Sequence, residues 1–404
     1  MEQSGYYGWW QREDLGYRNK QLYFAGKPVQ QLAEQYGTPT FVYSFDRARQ
    51  NLARLHDALQ RAGLSGRASV MYAMKANRFA PLLTALKLEG LCGIDACSPR
   101  EVELAVACGF APGEISFTAG SLSQRDLATL ARFSGLGMNC DSLHAIRAWG
   151  ALKPGSSVGI RVNPGLGISR QDNERLQYGG EVTSKFGIYR EQFDEALDIA
   201  RSFDLTVEKI HFHTGCGYLT EQLEQWDRVL GACRWFIERA ETVSVVNVGG
   251  GLGVPHLAED GWLDLDAWAG VLKKNFGGSS LRIQVEPGEY LLQDAGLLLL
   301  GKTYLEQKRQ TMFLGVDAGF NLAPEPAYYQ LPFQPLPLRL TEGEYSPVTV
   351  VGNINEALDV WYLDAPLPDM RDQAYLALIN AGAYSASMAS NHCMRGEFQE
   401  VLLP

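Results

Sequence analysis

Cysteine and histidine are scarce in this chain of 404 residues, at seven and six copies, and none of its apolar runs is long enough to span a bilayer. The cysteines are scattered, odd in number and outside metal-ligand spacing, and Cys92 and Cys97 stand too far apart for a CxxC pair. That usage fits reduced thiols in a cytoplasmic protein and gives no metal site and no disulfide framework. Positive charge is also short: 36 Lys and Arg against 46 Asp and Glu leave a net charge of −10, which argues against nucleic acid or an anionic membrane as partner. The opening MEQSGYYGWWQRED lacks a basic start and an apolar core, so no signal peptide is expected.

What the chain does have is core-forming material. Hydrophobic residues make up 46% and charged residues 20%, the balance of a folded enzyme rather than a disordered chain. At this length one hydrophobic core stops growing and two domains are expected. Eight apolar runs follow Gly63: SVMYAMKAN, CGIDACS, EISFTAG, GMNCDS, VGIRVNP, KIHFHTG, VVNVGGG and RIQVEPG. Amphipathic segments separate them, at 81–89, 99–108, 123–133, 191–203, 219–240 and 266–275, each with helical periodicity. Eight such alternations predict an α/β fold of the (β/α)8 barrel type, its strands nearly continuous in apolar residues because both faces are covered.

The polar residues of these runs gather at their carboxyl-terminal ends: Lys75 and Asn77, Asp95 and Ser98, Asn139 and Asp141, Arg161 and Asn163, His213, Gly249 to Gly251, and Glu286. Active sites of barrels are built at that end. Lys75 closes the first run, and a lysine beside a buried strand is a candidate for chemistry. After Gly288 the pattern becomes strand after strand with Pro and Gly between, in LLLLGKTYLEQ, TMFLGVD, SPVTVVG, QAYLALI and EFQEVLLP. This predicts a barrel over 37–290 and an all-β domain over 291–404 joined by the N-terminal segment 1–36, whose run Gln21 to Phe24 is expected to add a strand.

The motifs YAMKAN (72–77), IDACSPREVELA (94–105), RVNP (161–164), SKFGI (184–188), HFHTG (211–215), VNVGGGLGVP (246–255), VEPG (285–288), VDAG (316–319) and AGAY (381–384) occur in collinear order. In them the chain resembles the fold-type III pyridoxal-phosphate decarboxylases, the group of diaminopimelate and ornithine decarboxylases, whose barrel is alanine racemase-like. The resemblance implies a cytoplasmic carboxy-lyase acting on a small amino acid with pyridoxal 5'-phosphate as cofactor. It makes Lys75 the Schiff-base amine. It makes His213 the imidazole stacked on the pyridine, and Gly250, Gly251, Gly288 and Tyr384 phosphate contacts. Asp95 and Arg161 match residues lining the cofactor. Glu286 matches the carboxylate that keeps the pyridine nitrogen protonated, so that the ring serves as an electron sink. Racemases on this barrel place an arginine there, which disfavours racemase or other lyase chemistry; the contrasting class is an inactive, decarboxylase-like binding protein. The family assembles as head-to-tail homodimers with shared sites, and by resemblance Glu356 is supplied in trans.

Departures from the pattern bear on the substrate. Asn355 stands where the family carries a cysteine before its acidic residue, while Glu356 and Asp359 are kept. An amide is no acid, so reprotonation falls to Lys75, water, Cys393 or His392. Glu289 and Glu325 replace the two arginines that grip the far carboxylate in diaminopimelate decarboxylases; Tyr329 closes the second of these motifs, and His392 replaces an aromatic residue. Read as charge reversal, this expectation disfavours meso-diaminopimelate and favours an amino acid with a neutral or cationic distal group, as in polyamine or specialised metabolism.

Overall fold

Near-continuous burial selects strands over amphipathic helices in the eight apolar runs, and all eight are strands: β1 (Ala68–Ala73), β2 (Gly93–Ala96), β3 (Ile115–Thr118), β4 (Gly137–Cys140), β5 (Ser157–Arg161), β6 (Thr206–His211), β7 (Val245–Asn247) and β8 (Arg282–Val285). In this computed structural model, which describes residues 8–170, 173–176, 178–180 and 182–404, they pair in parallel and in sequence order, and β8 closes on β1. The fold is a closed (β/α)8-type barrel plus a separate domain of mostly sheet.

Helices return the chain between strands, and their starts are written locally. Ser98 caps Pro99–Ala107 by accepting from the Glu101 N–H, while the Glu101 carboxylate accepts from the Cys97 N–H at 2.6 Å. This reciprocal arrangement holds the turn that follows β2. Ser142 caps Leu143–Leu152 in the same way. Inside the barrel Asn139 Nδ2 of β4 donates to Ser116, Phe117 and Thr118 of β3, which satisfies the nitrogen of a buried amide within the wall.

The chain divides into two compact units, one of residues 52–253 and 262–290, which holds the barrel, and one of residues 1–51, 254–261 and 291–404. In the latter, Gly296–Lys308 is the central strand. Its first half pairs with Tyr375–Ile379 and Thr40–Ser44, its second with Thr311–Val316, and Ser346–Val351 and Val360–Leu367 extend the sheet. Gln21–Phe24 is a strand that pairs with Leu15–Arg18 and Lys27–Pro28 in a small sheet. Its link to the larger sheet is an antiparallel bridge from Gln21 to Arg339, with the Leu22 N–H donating to Leu338 O, and Leu22 and Phe24 pack with Leu297, Leu299 and Leu336. Residues 1–7, part of the N-terminal segment expected here, lie outside the described residues. Among the described residues no helix is long and apolar enough to cross a membrane.

Candidate active site

Parallel strands deliver their last side chains to one end of a barrel, and here that end collects the charged residues. Lys75 lies two residues beyond β1, half-buried, while Asp95 is in β2, Arg161 ends β5, His211 ends β6 and Asn247 ends β7. Glu286 follows β8 directly and is buried, as are Asp95, Arg161 and His211. The charges of Lys75, Arg161 and Glu286 all act on Asp95 and on His213.

The Glu286 carboxylate is held from two sides. Its Oε2 lies 3.0 Å from His211 Nε2, and its Oε1 accepts from Asn247 Nδ2 at 2.6 Å. Burial alone would raise this carboxyl, but the His211 and Asn247 interactions outweigh it and bring its pKa down to about 2. Burial pushes the His211 imidazole toward its neutral form, in which Nε2–H donates to Glu286. Asp95 moves the opposite way: burial, then the Glu286 charge, push it well above the usual carboxylate range, with Lys75 and Arg161 opposing. Two carboxyls in one interior are thereby driven apart in protonation.

His213 stands two residues past β6. Burial, then the charges of Lys75 and Arg161, hold its imidazole well below its ordinary pKa. Its Nδ1 accepts from the Gly250 N–H at 3.3 Å, which puts the ring proton on Nε2, where Cys216 Sγ lies 3.6 Å away. Tyr178 sits beside this ring at 4.7 Å between centroids. Arg161 pairs with Asp141 at 3.5 Å and lies over the Phe186 ring at 4.5 Å.

The glycine run after β7 is required by space. A Cβ on Gly250 would fall 2.0 Å from Glu286 O, and one on Gly251 would fall 2.2 Å from Gly215 O; Gly249 and Gly251 also adopt φ of +69° and +99°. Only glycine allows the backbone this close, which leaves N–H groups able to face a phosphate. The residues thus fit pyridoxal phosphate: an amine at Lys75, a bare-backbone cradle at Gly249 to Gly251 with Gly288 buried nearby, a neutral imidazole, and an ionised carboxylate.

The remaining expected site residues belong to the other unit. Tyr384 is half-buried with φ +49°. Asp359 is buried and accepts from the N–H groups of Phe320 (2.7 Å) and Ile354 (2.6 Å), which ties its loop down. Asn355 and Glu356 are exposed on that loop, and Glu356 Oε1 lies 3.3 Å from His392 Nε2. Tyr329 ends the short helix Glu325–Tyr329. Sequence reasoning missed His211 and Asn247, the two donors to Glu286. The signal was present: HFHTG places its two histidines two residues apart, hence on one face of the strand end.

Comparison with known proteins agrees with this geometry. Residues 48–293 match the family described as pyridoxal-dependent decarboxylase, pyridoxal binding domain. The diaminopimelate decarboxylase of Methanothermobacter thermautotrophicus is 33% identical over 95% of this chain and 90% of its own length, and that of Escherichia coli is 31% identical over 92% and 90%. The crystal structure of Helicobacter pylori diaminopimelate decarboxylase complexed with L-lysine superposes with a TM-score of 0.84, at 26% identity, over 93% of this chain and 94% of that one.

These relatives overturn the expectation that meso-diaminopimelate is disfavoured. The charge-reversal reading treated Glu289 and Glu325 as bare charges facing substrate. Both are buried, at 7% and 4% exposure, and Glu325 Oε2 accepts from Gln293 Nε2 at 2.7 Å. A carboxylate engaged by its own surroundings does not project the repulsion that its residue type suggests. With Lys75, the glycine cradle and the Glu286 carboxylate all on one barrel mouth, and with this match over most of its length, the chain belongs to the pyridoxal-dependent decarboxylases and is a carboxy-lyase that uses pyridoxal phosphate.

Proposed function

We propose that this enzyme removes one carboxyl group from meso-diaminopimelate and releases lysine. The observation that carries the reading is the ionised Glu286 held by His211 and Asn247 at the barrel mouth that also presents Lys75. When bound, pyridoxal phosphate supplies the electron sink that accepts the bonding pair as CO2 departs. Lys75 would hold the cofactor aldehyde covalently, and Gly249 to Gly251 with Gly288 and Tyr384 would hold its phosphate. Glu286 would keep the ring nitrogen protonated, and neutral His213 would cover one face of the ring. Diaminopimelate less one carboxyl group is lysine, the ligand in the Helicobacter pylori structure.

The active form is a head-to-tail homodimer in the cytoplasm. The surface of this unit supports the dimer: Leu358, on the loop carrying Glu356, is 47% exposed, and Tyr328 and Met394, on other segments, are 52% and 86% exposed. Such apolar exposure beside a charged residue suits a face covered by a second copy. All seven cysteines are free, as a reducing compartment maintains them. The test is CO2 release from meso-diaminopimelate with Lys75→Ala as control. Mixing Lys75→Ala with Glu356→Gln protein then restores part of the activity if sites are shared, and restores none if each chain is self-sufficient. No CO2 from meso-diaminopimelate, with CO2 from another amino acid, overturns the substrate.

A further inference from the structure

The barrel interior contains a second amine for which the decarboxylation has no use. Lys209 lies on β6, two residues before His211, and is 5% exposed. Strand register sets it level with Gly159 of β5 and Val245 of β7. Its side chain runs away from the active-site mouth, toward the amino-terminal end of the barrel. A Cβ added at Gly137, the first residue of β4, would lie 3.5 Å from Lys209 Nζ, and one at Gly159 would lie 3.3 Å from Lys209 Cβ. Two glycines therefore clear the path of this side chain.

The path ends in a cavity of about 380 Å³. Lys209 lines it with the apolar side chains of Leu136, Met138 and Trp149. Among the described residues Lys209 Nζ makes no hydrogen bond or ion pair. An ammonium that reaches this space without a protein acceptor leaves a charged donor open, and an anion entering the space satisfies it. Burial lowers the pKa of this amine; the charges of Glu286, Glu208 and Asp95 oppose that through space, and none of them forms an ion pair with it. The lining also holds Lys153 and Glu208, and the Lys209 ammonium beside the apolar wall of Leu136, Met138 and Trp149 matches one carboxylate with a short apolar tail.

We propose that this cavity at the amino-terminal end of the barrel binds a small aliphatic monocarboxylate, its carboxylate on Lys209 Nζ and its tail against Leu136, Met138 and Trp149. The site is separate from the cofactor mouth, so occupant and substrate bind together.

Calorimetric titration of sodium butyrate into the pyridoxal phosphate-loaded enzyme tests this, with n-butanol as the uncharged control and a repeat in saturating lysine. Saturable binding of butyrate but not butanol, unchanged by lysine, is the expected result. Lys209→Met, an apolar side chain of similar length, weakens it by about tenfold or more, the loss of a charge-assisted hydrogen bond. Leu136→Ala trims the apolar wall and weakens binding severalfold, which provides a second variant if Lys209→Met does not fold. No saturable binding to the wild-type enzyme, equal binding in the variants, or displacement by lysine would each overturn the proposal.

Discussion

His211 Nε2 and Glu286 Oε2 lie 3.0 Å apart in a buried interior, and the direction of their interaction follows from their opposed titration. Burial keeps the imidazole neutral and donating, while the carboxylate, held also by Asn247, stays below the ordinary carboxylate pKa range. A carboxylate in the interior is thus available as a fixed negative charge throughout the range in which an enzyme is assayed.

Glu286→Gln tests that charge. It preserves shape and removes the counter-charge of the ring nitrogen, so kcat falls by about 10²- to 10³-fold while the cofactor stays bound. His211→Phe keeps the carboxylate but removes one of its donors, and the carboxyl pKa rises. Because the useful form is the ionised one, an acid limb then enters the kcat–pH profile between about pH 4 and 6, where the wild-type enzyme shows none from this group. A His211→Phe profile that coincides with the wild-type one sinks this account.

The barrel was legible in the sequence because parallel strands covered on both faces leave apolar runs bounded by polar tips. Lys75, Asp95, Arg161, His213 and Glu286 were legible because those tips point to one mouth. Partnership was not. Sequence places His211 and Glu286 on their strands, yet nothing in either motif states that one donates to the other. The same gap misled the substrate reading: Glu325 read as a bare charge until Gln293 was found beside it. Lys209 was hidden for a related reason: next to Glu208 it looks like a solvated strand residue, and only register with Gly159 and the opening at Gly137 show where its amine goes.

Gly250→Ala separates steric need from chain flexibility. The added methyl would meet Glu286 O at 2.0 Å, so backbone must move at the cradle and beside the key carboxylate. A loss of about 1–3 kcal/mol in stability follows, with cofactor affinity reduced by tenfold or more. Gly231 is the control: it lies in the helix Leu223–Arg239 with nothing within 4 Å of an added Cβ. Gly231→Ala stabilises by about 0.5–1 kcal/mol and leaves cofactor binding alone. Urea denaturation and spectroscopic titration of pyridoxal phosphate read both. Equal behaviour of the two variants would show that the cradle does not depend on glycine.

Asp294 anchors the other unit and makes its stability acid-sensitive. The residue is 3% exposed; its Oδ2 accepts from Arg47 Nη2 at 2.5 Å and its Oδ1 from Asn51 Nδ2 at 2.7 Å, while Arg12 donates to its backbone carbonyl. Burial raises this carboxyl, but Arg12 and Arg47, with the hydrogen bonds of Arg47 and Asn51, overcome it and leave its pKa below the ordinary value. A carboxyl depressed by folding stabilises fully above its unfolded pKa, about 3.9, and loses that contribution as pH falls through the folded value. Asp294→Asn leaves the Arg47 guanidinium buried without its counter-charge, so at pH 7 the variant is destabilised by about 3–5 kcal/mol. The gap between wild type and variant narrows below about pH 4, because protonation then removes the same charge from the wild-type protein. Urea midpoints at pH 7 and at about pH 3.5 measure it. A gap that stays constant between these pH values would mean that Asp294 acts through packing and neutral hydrogen bonds, and that its charge contributes nothing to holding Arg47 in the interior.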